Sequence, residues 1–139
     1  MTPVRDRQAM IAGMHPELVP GLWQFCKLTD PAQVARAAAH ALATFREAEG
    51  LSLILPQEAA EFLGLPLTAP MRQITLQVFS SLEGVGLTAA VASVLADRGI
   101  ACNMVAAYHH DHAFVPAPDA ERAVAVLQLL AAETTNSAS

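Results

Sequence analysis

Aromatic residues make up only 5% of this 139-residue chain, charged residues 15%, and there are two cysteines. No apolar run approaches the roughly 18 to 20 residues needed to cross a bilayer. The first fourteen residues carry Arg5, Asp6 and Arg7 with no apolar stretch behind them, so neither a membrane span nor a secretory leader is expected. Clusters of Lys and Arg are missing too. With 8 basic against 13 acidic residues the formal charge is −5, and the electrostatic footprint of nucleic-acid binding is absent. Cys26 and Cys102 sit in apolar, strand-like runs outside any CxxC spacing. That fits free buried thiols in a reducing cytoplasm better than a disulfide framework or a zinc site. What these absences leave as partners is small molecules or proteins.

Hydrophobic residues reach 53%, much of it alanine, so tight packing of small side chains is implied. A chain of this length buries roughly 70% of the surface it would expose unfolded, which excludes intrinsic disorder and suits one compact domain or two very small ones.

The chain carries one pattern twice. In the second half, Ile74, Leu76 and Val78 alternate with Thr75, Gln77 and Phe79, the period-2 signature of a half-buried strand. After Gly84-Val85-Gly86, the residues Leu87, Val91, Val94 and Leu95 take helical spacing, with Thr88 as an early cap and Gly99 as the stop. Ile100 to Tyr108 and His112 to Val115 then form a hairpin around His109-His110-Asp111. Asp119 can cap a last helix striped by Ala123, Val126, Leu127 and Leu130. The first half repeats the order: a strand Leu22 to Leu28, a helix begun by Asp30-Pro31, a hairpin around Glu49-Gly50, and a helix Gln57 to Leu63 stopped by Gly64. The expected halves are residues 1–68 and 69–139, each running strand, helix, strand, strand, helix.

That order builds an α+β fold with helices on one face of an antiparallel sheet. A complete ferredoxin-like unit adds a sixth element, a final strand. The tail from Glu133 to Ser139 is polar and does not alternate, so either the halves share strands or a second chain completes the sheet. The open sheet face would hold Trp23, Phe25, Phe79 and Val105, and pairing between units is expected there.

Two stretches carry the chemistry. In Ser80-Ser81-Leu82-Glu83-Gly84-Val85-Gly86-Leu87-Thr88, glycines permit close backbone approach and the helix start presents unpaired N–H groups, a place for a carboxylate or, on the plainer reading, only a tight turn. Tyr108-His109-His110-Asp111-His112 contains the ligand types of a zinc or iron site. Neighbouring strand residues point to opposite faces, so a polar hairpin tip or a ligand contact fits better than metal. No nucleophile motif surrounds Ser80 or Ser81, and Glu47 and Glu49 read as a solvated hairpin. An enzyme is not expected.

The run from Ser80 through Val91, continued by Leu95-Ala96-Asp97-Arg98-Gly99-Ile100-Ala101-Cys102-Asn103 and by Tyr108 to Pro116, resembles the ACT domain. Ala43 to Leu51 followed by Leu53-Ile54-Leu55-Pro56 is similar to the same group, and the likeness is greatest to small bacterial proteins made of two ACT-like halves. The resemblance implies two ferredoxin-like βαββαβ halves, sheet-to-sheet pairing in a homodimer, and regulatory binding of an amino acid or similar small zwitterion without a cofactor or a resident metal. The family pattern falls on Ser81 to Thr88 and, across an interface, on the strand around Asn103. The expected ligand residues are Ser81, Glu83, Val85, Gly86, Leu87, Thr88, Asn103 and Asp111, with N–H groups from Val85 to Thr88 for the carboxylate and Glu83, Asp111 or carbonyls for the ammonium. The alternatives are a dimerisation module that binds nothing and a metal-dependent enzyme centred on His109, His110, Asp111 and His112.

Overall fold

The computed structural model describes Arg7–Val78 and Gly86–Ser137. The elements are α1 (Arg7–Ala12), β1 (Pro16–Leu28), α2 (Pro31–Ala38), β2 (Ala43–Glu47), β3 (Gly50–Pro56), α3 (Gln57–Phe62), β4 (Met71–Leu76), α4 (Leu87–Asp97), β5 (Asn103–Ala106), β6 (Asp111–Pro116) and α5 (Ala120–Ser137), with a 3₁₀ turn at Ala117–Asp119. By contacts the chain divides into Met1–Pro20 with Arg72–Ser139, and Gly21–Met71. The smaller unit is thus an insertion in the larger. The division falls within β1, where Gly21 takes a φ of +103° that favours glycine.

In the larger unit the strand order is β1, β4, β6, β5. Read from β4, its elements run strand, helix, strand, strand, helix, and residues 16–20 of β1 then stand beside β4. That is the edge a final strand would occupy. The missing strand of this half is therefore supplied from the start of the chain, while α5 continues the tail as helix to Ser137. Ile74 and Leu76 of β4 and Ala113 and Val115 of β6 face a core closed by Val91 and Leu95 of α4 and Ala123 and Leu127 of α5. Met10, Ile11 and Met14 join it from α1 and its exit, a helix that the sequence reading did not anticipate.

In the smaller unit the order is β2, β3, β1, antiparallel with Phe25 opposite Ile54 and Ala43 also opposite Ile54. Leu28, Leu53 and Leu55 face Ala37 of α2, Ala60 of α3 and Leu65. Asp30 caps α2 by accepting from the Gln33 N–H at 3.3 Å, with Pro31 at the first position. Gln24 is buried and spans to the exit of the unit. Its amide donates to Thr68 O at 3.0 Å and to Gln57 Oε1 at 2.9 Å, and its carbonyl accepts from the Thr68 N–H at 2.9 Å.

Several expected boundaries shift. β1 begins at Pro16 rather than Leu22, and β5 is confined to Asn103–Ala106. Gly86, not Thr88, is the N-cap of α4. Asp119 lies in the 3₁₀ turn and pairs with Arg122 at 3.1 Å. Gly64 and Gly99 do end their helices, with φ of +69° and +71°. Cys26 and Cys102 are free but only half-buried, and Cys102 precedes β5. Burial still raises both thiols above their ordinary range, as expected for inert sulfur.

Candidate functional site

The site is built on the larger unit, where the chain leaves β4 and returns as α4. On the β4 face turned from the helices, Gln73 and Thr75 are both buried. They converge on one ring nitrogen of β6: His112 Nδ1 lies 3.0 Å from Thr75 Oγ1 and 3.1 Å from Gln73 Nε2. This arrangement suits a neutral imidazole whose Nδ1 accepts from both. Burial lowers the His112 pKa and nearby His110 adds to that, while Asp111 opposes it. Further along the strand, Gln77 donates its side-chain amide to Glu17 at 2.6 Å and its backbone N–H to His15 O at 3.0 Å.

The hairpin tip meets the same end of β4. His110 Nδ1 stands 3.4 Å from Val78 O, and the Ala107 N–H closes the turn on His110 O at 3.1 Å. The Tyr108 and His109 rings meet edge to face at 4.9 Å. Asp111 opens β6 and pairs with Ala106. The histidine cluster therefore divides: His112 serves the sheet, His110 the exit of β4, and Tyr108 and His109 the exposed tip. Among the described residues, no group of three or more His, Cys, Asp and Glu is placed to hold a metal ion.

Ser81, Glu83 and Val85 lie outside the described residues. Gly86 opens α4 with a φ of +102° and no side-chain cap. The Ala90 N–H closes the first turn on Gly86 O at 3.0 Å, so the helix itself leaves the N–H groups of Leu87, Thr88 and Ala89 unused. Leu87 is buried in the core and Thr88 is exposed. A Cβ at Gly86 would come within 2.7 Å of Arg7 Cδ and 2.9 Å of its Cγ. This contact places a guanidinium beside the positive end of the helix dipole, a combination suited to an anion. No local motif in the sequence announces Arg7, because α1 and α4 meet only through the fold. From Arg7 an open groove of about 480 Å³ continues over Ile11, Ala90, Val94, Leu130 and Thr134. Asn103 begins β5 beyond the far end of α4, about 16 Å along the helix from Gly86.

Two family models described as ACT domain match residues 2–72 and 68–128. A solved protein of unknown function from Vibrio cholerae, described as a possible transport protein, is 41% identical, with 89% of this chain and 94% of that one covered and a TM-score of 0.79. A protein from Agrobacterium tumefaciens shares 18% identity over 85% of this chain and 89% of its own, at a TM-score of 0.66. The regulatory subunit of aspartate kinase from Thermus flavus shares 13% over 84% and 96%, at 0.61. These last two show likeness of fold alone. No protein of curated function matches the sequence.

Proposed function

Since the chain belongs to the ACT domain family, with two such domains in tandem, we propose that it is a cytoplasmic regulatory module, without chemistry of its own, that binds an amino acid or similar small zwitterion and acts as a homodimer. The observation that carries this reading is Gly86 in the left-handed conformation at the start of α4 with Arg7 packed against it. The Leu87 and Thr88 N–H groups and the Arg7 guanidinium supply donors for an α-carboxylate. The groove over Ile11, Ala90 and Val94 gives room for a side chain. Ser81, Glu83, Val85 and Asp111 remain candidates for the rest of the ligand, with Asp111 suited to the ammonium, and Asn103 would act from a second unit. The likeness of fold to an aspartate kinase regulatory subunit supports a regulatory role.

Thermal shift of the full chain against the twenty amino acids tests it. A specific ligand at 100 times its Kd adds about 2.7 kcal/mol, and Arg7→Ala is expected to remove most of that gain. If no amino acid moved the melting temperature of the wild type, the ligand reading would fall.

A further inference from the structure

We propose that the groove at the start of α4 selects an amino acid whose side chain is long and ends in a cation, drawn there by Asp97 and Glu133. The inference rests on the amino-acid reading above and names the class of side chain.

Three charged side chains line this groove, Arg7, Asp97 and Glu133. Asp97 is the last residue of α4, and Glu133 lies in the last turns of α5. Both are exposed. Among the described residues neither carboxylate has an ion-pair or hydrogen-bond partner, and the Arg7 guanidinium has none either. The floor is apolar: Ile11 and Ala90 are buried, and Val94 and Leu130 pack half-buried on the same core. Such a groove is matched by a ligand with an anion for Arg7 and the helix start, methylenes for the floor, and a cation for the two carboxylates.

Length narrows the class. Asp97 lies ten residues beyond Leu87, about 15 Å along α4. Because a helical side chain leans back toward the N-terminus, the gap between the Leu87 N–H and the Asp97 carboxylate closes to about 13 Å. Lysine has about six bonds between its carboxylate carbon and its ammonium, an extended reach of about 7 to 8 Å. A hydrogen bond of about 2.9 Å at each end brings the total to about 13 Å. Lysine and arginine span the distance, and short side chains do not. Aspartate and glutamate are disfavoured twice, being short and repelled by both carboxylates.

Isothermal titration calorimetry of the full chain tests the class, with circular dichroism as the control for folding. The probes are lysine against norleucine, which lacks only the ammonium, and arginine against its neutral isostere citrulline. Cadaverine, which is lysine without the carboxylate, completes the set. At least one cationic amino acid is expected to bind about tenfold or more tightly than its neutral counterpart and than cadaverine. Asp97→Asn and Glu133→Gln should each weaken that cation about two- to fivefold and leave the neutral probes unchanged, and the double variant should erase the preference. Neutral probes that bound as well as the cations, with binding still lost in Arg7→Ala, would overturn the cationic class and leave the amino-acid reading in place. A preference that survived the double variant would do the same. If none of the twenty amino acids bound, or if cadaverine equalled lysine, both would fall.

Discussion

The two units share an order of elements and differ in what lies on the sheet face away from their helices. In the larger unit that face carries hydrogen-bonded polar groups, Gln73 and Thr75 with His112 and Gln77 with Glu17, beside the buried ring of Phe114. In the smaller one it carries Phe25, Ile54, Ala43 and Phe45, with Phe25 and Phe45 exposed. Their helix sides differ as well. The larger unit closes its core with three helices, the smaller with the short α2 and α3. The same order of elements thus carries the glycine start of α4 in the larger unit and exposed Phe25 and Phe45 in the smaller.

The largest effect should come from the larger core. Leu127→Ala is expected to destabilise by about 2 to 5 kcal/mol, because Leu127 is fully buried and truncation leaves a cavity. Urea titration measures it, and a loss below about 1 kcal/mol would mean that this core is looser than its burial indicates.

In the smaller unit the vulnerable point is polar. Gln24→Leu strands the Thr68 N–H that Gln24 accepts from, with an expected loss of about 1 to 3 kcal/mol. If the same titration showed a neutral change, the Gln24 bonds would not be what holds the exit of that unit.

At the junction of α1 and α4, Gly86→Ala combines a strained φ with a clash against Arg7. The strain alone is worth about 1 to 2 kcal/mol. Adding Arg7→Ala should recover the steric part and not the strain, so a double-mutant cycle with no coupling would refute the contact.

The smallest effect concerns pH and separates the two sheet faces. The His112 pKa is lowered below its ordinary 6.5, so the unfolded chain takes up that proton first. The stability it contributes is present above pH 6.5 and falls as the pH drops through that value, levelling below the folded pKa. His112→Asn keeps an acceptor for Thr75 and Gln73 but cannot titrate. Its melting temperature should fall less between pH 7.5 and 5.5 than that of the wild type, and an equal fall would exclude His112 as the source.

Much of this was readable where the cause is local. Asp30-Pro31 starts α2 and Gly64 and Gly99 stop their helices because cap chemistry acts over a few residues. The alternation around Ile74 and Leu76 placed β4, and Trp23, Phe25 and Val105 do fall on strand positions turned from the cores, whereas Phe79 lies outside the described residues. What escaped depends on distant partners. α1 has six residues, too few for a periodic signal, and only Met10 and Ile11 packing on α4 and α5 makes it a helix worth forming. The strand at residues 16–20 could not be assigned to the larger unit from its own residues, since Pro16, Pro20 and Gly21 read as breakers. Its pairing with β4 decides the matter and completes that half within one chain, which removes the unfilled edge as an argument for a dimer. At the site, the glycine before α4 was legible, whereas Arg7 was not, because nothing in the sequence joins residue 7 to residue 86.

The most direct test of the central claim is a crystal structure grown with the amino acid that gives the largest thermal shift. The account predicts density with its α-carboxylate within hydrogen-bond distance of the Leu87 or Thr88 N–H and of the Arg7 guanidinium. Density for the ligand at any other position, with the start of α4 empty, would contradict it.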